Sequence, residues 1–251
     1  MNAVDFSILM PAMAAGLLVT ATHVPLGAQV LSRGIVFIDL AIAQIAGCGV
    51  LFADLLGFEA EGAAVQVAAL VAALGGALLL TWTERIFPNV QEAVIGVVFV
   101  LAATGSVLLL ARNVHGGEHL RDLLVGQILW VQPSRLVFVA CVYAVVLLLW
   151  FGVGDRLGRI GFYALFAVAV TLSVQLVGLY LVFATLIVPP LATRNMTRGR
   201  LVAAWGIGAT GYVGGLMLST ATDLPSGPLI VWVLVALAVA MELITRARVA
   251  S

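Results

Sequence analysis

Long apolar runs separated by short polar breaks dominate the chain. A helix needs about 20 predominantly apolar residues to cross the hydrocarbon core of a bilayer, at about 1.5 Å per residue. The pattern therefore predicts an all-α, polytopic integral membrane protein with eight or nine transmembrane helices. The candidate spans are 7–31, 34–56, 62–83, 90–111, 134–153, 160–175, 177–192, 201–221 and 227–245.

The number of spans depends on how the apolar stretch 160–192 is divided. Its 33-residue length and Gly178 favour two spans, whereas a single long span would move the N-terminus to the other side of the membrane. With nine spans and the C-terminal tail inside, nine of the twelve arginines face the cytoplasm, as the positive-inside rule requires. The segment 118–133 is too short and too charged to span, so we expect it to be interfacial or re-entrant.

Composition supports a membrane protein and narrows its functions. The 251 residues are 63% hydrophobic and 10% charged, with a mean hydropathy of +1.18, whereas soluble domains are about 45–50% apolar and about 25% charged. We therefore expect one transmembrane domain over 1–251, with the lipid bilayer as its surroundings. Formal net charge is zero, so a nucleic-acid partner is not indicated. All twelve basic residues are arginine, which excludes a Walker A lysine, and no nucleophile–base constellation indicates an enzyme.

One apolar run carries an acidic side chain in its interior. The stretch RGIVFIDLAIAQIAG (33–47) contains Asp39 and Gln44. A charged aspartate at the centre of a membrane helix costs about 2.5–3.5 kcal/mol on insertion scales. Either Asp39 caps or pairs with a neighbouring element, for which Arg33 is a candidate, or it lines a substrate path.

The stretch ATHVPLG (21–27) places a histidine beside helix-breaking residues. His23 is followed by Pro25 and Gly27, so we expect a kink in the first helix that frees backbone carbonyls. His23 is either a satisfied hydrogen-bonding residue or a metal ligand.

The segment NVHGGEHLRD (113–122) concentrates imidazole and carboxylate groups. His115, Glu118 and His119 lie within five residues, and the glycines between them let the segment fold back. Such donors suit zinc, manganese or iron. On the nine-span topology the segment faces outwards, where an incoming ion arrives. The alternative is an ordinary solvated polar loop.

Five motifs in a fixed order resemble the permease subunit of the metal-type ABC importers, which take up zinc, manganese or iron. The residues that carry the resemblance are spread over most of the chain. The motifs are PLGAQVLSRGIVFIDLAIAQIAGCGV (25–50), QEAVIGVVFVLAATGSVLLL (91–110), LRDLLVGQILWVQPSRL (120–136), LVGLYLVFATLIVPPLATRNMTR (176–198) and TDLPSGPLIVW (222–232).

The resemblance implies a helical permease in the inner (plasma) membrane that works as a homodimer or pseudo-dimer. A cytoplasmic ATP-binding subunit and an extracytoplasmic metal-binding protein are the implied partners, with ATP hydrolysis on the separate subunit. The transported substrate is a divalent metal ion, zinc or manganese with iron as a third candidate, and no cofactor is bound permanently. Asp39 matches the family's aspartate near the translocation path.

The first departure from the family pattern concerns that aspartate. The family's histidine after it is absent, and Ala43 or Gln44 stands in its place. No histidine ligand is therefore carried over there, and His23 is only a hypothetical substitute.

The second departure concerns the contact with the ATPase. The family has a longer cytoplasmic segment where this chain has only GVGDRLGRIG (152–161). Either a minimal docking turn or a second arginine cluster takes over, or coupling to an ATPase is weakened. The candidate residues are Asp155, Arg156 and Arg159 in the turn, and Arg194, Arg198 and Arg200 in the cluster.

The sequence thus predicts an importer permease that moves divalent metal ions by alternating access. Two alternatives stay open, a stand-alone secondary metal carrier and a chelate or vitamin permease of the same superfamily.

Overall fold

The computed structural model describes residues 6–58, 62–110 and 128–250. Nine α-helices and three single turns of 3₁₀ helix make up the secondary structure of that part of the chain. The α-helices are α1 (Phe6–Arg33), α2 (Ile38–Leu55), α3 (Ala63–Ile86), α4 (Gln91–Leu110), α5 (Pro133–Val153), α6 (Gly158–Val177), α7 (Leu179–Ala192), α8 (Arg200–Thr222) and α9 (Ser226–Ala250). The 3₁₀ turns are Pro88–Val90, Ile128–Trp130 and Gly154–Arg156.

Eight of these helices are long and apolar enough to cross a membrane, which confirms the predicted class of polytopic helical membrane protein. The remaining helix, α7, has 14 residues and so extends only about 21 Å. Gly178 separates α6 from α7 with a φ of 87°, a conformation that glycine adopts without steric penalty. The break that the sequence predicts at Gly178 is therefore present.

The described residues divide into two compact units. The first unit contains 6–33, 128–144 and 176–250, and the second contains 34–58, 62–110 and 145–175. The prediction of one transmembrane domain over the whole chain stays a prediction.

In the first unit, α7 and α8 pack against both α1 and α9. Gly27 lies where α1 meets α7, and a Cβ there would overlap the carbonyl oxygen of Leu186. That carbonyl has no partner within its own helix, because Pro190 lacks the N–H that would reach it. Small residues permit such close helix contacts in membranes.

A second proline of the first unit frees a carbonyl that another helix satisfies. Pro25 lies inside α1, which continues through it, and leaves the carbonyl of Ala21 without its i+4 donor. The indole Nε1–H of Trp205 on α8 donates to that oxygen over 3.3 Å. The freed carbonyl that the sequence predicts is therefore satisfied by a neighbouring helix.

In the second unit, α2 packs against both α3 and α4. The backbone N–H of Phe37 donates to Glu92 Oε1 over 3.2 Å, and Cys48 Sγ donates to the carbonyl of Ala102 over 3.1 Å. The first contact joins the N-terminal ends of the two helices, and the second joins positions about ten residues further along each. The helices α2 and α4 therefore run parallel, with their N-terminal ends together.

Candidate functional site

Asp39 lies in the first turn of α2, two residues after the N-cap residue Phe37. Its side chain is fully buried, and neither carboxyl oxygen has a hydrogen-bond partner among the described residues. The backbone N–H groups of Leu40 and Asp39 act electrostatically on the carboxyl group from its own helix turn. Neither a side-chain cap nor an ion pair is therefore seen for Asp39 in this part of the chain.

Glu92 lies beside this turn and was not singled out from the sequence. It occupies the first turn of α4, where an acidic residue is ordinary because it complements the helix dipole. One oxygen, Oε1, accepts the hydrogen bond from Phe37, while Oε2 is buried and has no partner among the described residues. The carboxyl group of Glu92 is close enough to act electrostatically on that of Asp39.

The start of α4 is also tied to α3. Gln91 is buried, and its Nε2 donates to the carbonyl of Leu80 over 3.0 Å. Glu92 is therefore held between two helices, since its neighbour Gln91 contacts α3 and its own carboxylate contacts α2.

An apolar groove of about 610 Å³ runs along the same pair of helices. Its lining includes Phe37 and Leu40 from α2 and Gly96, Phe99 and Val100 from α4. Because these side chains offer no polar group, the groove itself is unsuited to a cation.

His23 lies in the first unit and is fully buried in α1. Its Nδ1 lies 3.1 Å from the carbonyl oxygen of Val19 and 3.0 Å from the hydroxyl of Thr22, so Nδ1 donates to Val19 in one tautomer and accepts from Thr22 in the other. The other ring nitrogen, Nε2, has no partner among the described residues, and it carries a lone pair in the tautomer with hydrogen on Nδ1. A histidine that donates one N–H to a backbone carbonyl and offers the other nitrogen is oriented as metal-ligating histidines are.

The first unit also buries two tyrosines and a threonine, Tyr143, Tyr212 and Thr185. The ring of Tyr143 lies 6.4 Å from that of His23, centroid to centroid. Thr185 Oγ1 and the hydroxyl of Tyr212 are 2.9 Å apart, and Thr185 also donates to the carbonyl of Leu181. Thr185 and Tyr212 thus satisfy each other and join α7 to α8.

Several predicted site residues are not brought together. Among the residues that the structure describes, no three His, Cys, Asp or Glu side chains form a group that could hold a metal ion. The predicted ligands His115, Glu118 and His119 lie outside the described residues, so their role stays a prediction.

The predicted ATPase-coupling arginines fall into two kinds. Two of them make ion pairs within the chain: Arg159 with Glu84 at 3.7 Å, and Arg194 with Glu242 at 3.1 Å. Arg156 and Arg198 are exposed, whereas Arg200 is half-buried.

The short connection seen in the sequence is also short in the structure. The 3₁₀ turn Gly154–Arg156, which includes the backbone of Asp155, and Leu157 are all that separates α5 from α6.

Comparisons with known proteins agree with this architecture. The model of the ABC 3 transport family matches residues 5–157 and 151–245. The structure is similar to that of PsaBC from Streptococcus pneumoniae in complex with Fab, with a TM-score of 0.75 and 21% identity over 96% of this chain and 91% of that chain. It is also similar to a putative metal-chelate type ABC transporter in an inward-facing conformation, with a TM-score of 0.65 and 16% identity over 92% of this chain and 84% of that chain. At these identities the structural likeness shows the fold.

Proposed function

The chain belongs to the ABC 3 transport family, and on that premise we propose that it is the permease subunit of an ATP-driven importer of divalent metal ions. It is a multi-pass membrane protein, and the inner (plasma) membrane is its proposed location. The resemblance that the five sequence motifs predict is confirmed at the level of the family.

One observation carries the proposal for the cargo. Asp39 is fully buried in a membrane span, and both its carboxyl oxygens lack a partner among the described residues. Buried charges are normally paired or coordinate a metal, because desolvation otherwise penalises them strongly. A passing cation offsets that penalty, and intramembrane carboxylates commonly mark ion pathways. Zinc and manganese are the proposed cargoes.

The proposed transport cycle is alternating access. An extracytoplasmic metal-binding protein delivers the ion at the outer face, where the segment with His115, Glu118 and His119 is the proposed first contact. Closure of two cytoplasmic ATP-binding subunits then moves the helices, and the ion passes Asp39 towards the cytoplasm. His23 Nε2, in the first unit, is a separate proposed donor for the ion, and a second copy of the chain completes the permease.

Coupling to the ATPase is proposed at the turn Gly154–Arg156. Arg156 supports this because it is exposed, and exposed Arg198 is a second candidate contact. Arg159 and Arg194 already pair with Glu84 and Glu242, so their proposed contribution is to hold the helix ends that carry the docking surface.

The test compares two aspartates of the same helix. Asp39→Asn removes the charge with little change in size, and Asp54→Asn does the same at the other end of α2. Cells that contain each variant are assayed for zinc and manganese accumulation and for the abundance of the protein in membranes. We expect at least a tenfold loss of accumulation for Asp39→Asn at unchanged abundance, and none for Asp54→Asn. Normal accumulation in the Asp39 variant would refute the proposed site. Accumulation that persists after ATP depletion would favour a secondary carrier.

A further inference from the structure

We propose that Asp39 and Glu92 together form a two-carboxylate site for a divalent cation, where the N-terminal turns of α2 and α4 meet. The inference rests on the proposed function and adds a second acidic residue, from a different helix, to the ion path. On the predicted orientation the site lies near the cytoplasmic end of that path.

The relative position of the two helices is fixed by named contacts. Glu92 Oε1 accepts the backbone N–H of Phe37 at one end, and Cys48 Sγ lies 3.1 Å from both the carbonyl of Ala102 and the hydroxyl of Ser106 further along. Since both helices begin at this point and run parallel, their acidic first turns lie side by side.

Most carboxyl oxygens of Asp39 and Glu92 lack a well-aligned hydrogen bond from the protein. Glu92 Oε1 accepts the N–H of Phe37, whereas Glu92 Oε2 and both oxygens of Asp39 are buried without a well-aligned hydrogen bond in the described part of the chain. The backbone N–H groups of Asp39 and Leu40 act on the Asp39 carboxyl group from its own helix turn, and that of Val36 acts on Glu92. Buried polar atoms are bonded in the large majority of cases, so three such atoms in adjoining turns need an explanation. A cation held by these oxygens provides one.

The two negative charges of Asp39 and Glu92 also favour a divalent cation. Two carboxylates in neighbouring turns repel each other, and the burial of Asp39 strengthens the repulsion because its surroundings polarise little. The N-terminal ends of α2 and α4 offset part of this through their dipoles. A divalent cation balances the two negative charges fully, whereas a monovalent cation would leave one uncompensated.

The donor atoms also define the class of ion. Both side chains offer oxygen, and the position where the family has a histidine after the aspartate carries Ala43 or Gln44 in this chain. Carboxylate and carbonyl oxygens suit hard divalent ions such as manganese. Mn²⁺ is therefore the appropriate probe for the site.

A purely structural role for Glu92 makes a different prediction. If Glu92 only caps α2 through the N–H of Phe37, then Glu92→Gln keeps an acceptor oxygen of the same reach and is harmless. Glu92→Asp keeps the charge but is one methylene shorter, so it weakens the cap. If Glu92 binds a cation, Glu92→Asp is instead the milder change and Glu92→Gln the more harmful one, because the charge of a metal ligand matters more than the length of its side chain.

The experiment measures Mn²⁺ binding to the full-length permease in complex with its ATP-binding subunit, from the electron paramagnetic resonance signal of free Mn²⁺. The proposal predicts the affinity order wild type, then Glu92→Asp, then Glu92→Gln, with Glu92→Gln at least tenfold weaker than wild type. Asp39→Asn is expected to weaken binding similarly, and the control Asp54→Asn to leave it unchanged.

Several outcomes are decisive. Wild-type affinity in Glu92→Gln, with weaker binding in Glu92→Asp, would overturn the site and leave Glu92 as a cap. Loss of metal accumulation in Asp39→Asn together with normal binding in Glu92→Gln would overturn only this inference. Normal accumulation in Asp39→Asn would remove the proposed ion path itself. Thermal unfolding of each variant confirms that the proteins compared are folded.

Discussion

Replacing Trp205 by Phe tests the hydrogen bond that compensates for a proline inside α1. The indole Nε1–H donates to the carbonyl of Ala21, which Pro25 leaves without a partner in its own helix. Trp205→Phe keeps an aromatic ring but removes the donor, so the carbonyl loses its bond. The variant therefore isolates one contact between α1 and α8.

The magnitude follows from the length and location of that bond. An unsatisfied buried acceptor costs about 1–3 kcal/mol in soluble proteins. Hydrogen bonds between membrane helices average about 0.6 kcal/mol and reach about 1.7 kcal/mol. Since 3.3 Å is slightly beyond the usual range of about 2.7–3.2 Å, we expect Trp205→Phe to lower the free energy of unfolding by about 1 kcal/mol.

A double-mutant cycle with Pro25→Ala separates the bond from the lost ring volume. The alanine introduced by Pro25→Ala supplies the N–H that reaches the carbonyl of Ala21, so the bond from Trp205 matters less in that background. We expect the loss caused by Trp205→Phe to fall by at least about 0.5 kcal/mol, which corresponds to the average membrane hydrogen bond. The assay is reversible unfolding in mixed micelles by titration with sodium dodecyl sulfate. An equal loss in both backgrounds would refute the compensation.

Two further predictions concern packing in the first unit. Gly27→Ala places a methyl group on the carbonyl oxygen of Leu186, so we expect either a stability loss of at least about 2 kcal/mol or a failure to fold. Gly206→Ala, whose added methyl group meets open space, serves as the control, and a Gly27→Ala protein as stable as wild type would contradict the close approach of the two helices. Tyr212→Phe removes the 2.9 Å hydrogen bond to Thr185, and we expect about 0.5–1.5 kcal/mol of destabilisation in the same unfolding assay; no loss would indicate that the bond contributes nothing.

The length of apolar runs predicted the helices well, because a membrane leaves few alternatives to a helix of fixed length. The predicted span 134–153 is α5 (Pro133–Val153) to within one residue. The span 34–56 begins later, at Ile38, because Gly34 takes a φ of 68° and the chain turns before the helix starts. That shift places Asp39 in the first helical turn, which periodicity alone did not indicate.

The partners of the site residues were not predictable in the same way. Glu92 contacts Phe37 across 55 residues of sequence, and no local pattern encodes a contact at that separation. The ion pairs of Arg159 and Arg194 were missed for the same reason, since Glu84 and Glu242 lie on other helices. Sequence chemistry identified which residues are unusual, whereas tertiary packing decides which of them meet.

If ions pass beside the carboxyl group of Asp39, water must reach this position during turnover. The direct test is the reaction of Asp39→Cys with a charged, membrane-impermeant thiol reagent. It is made in a background in which Cys48 and Cys141 are replaced, with the ATPase partner present. The matched control is Leu148→Cys, an apolar position of α5 that is 73% exposed on the chain surface. We expect the thiol at position 39 to react, faster with ATP than without it, and the control to stay unreacted. A thiol at position 39 as inert as the control in every nucleotide state would contradict the passage of ions beside Asp39.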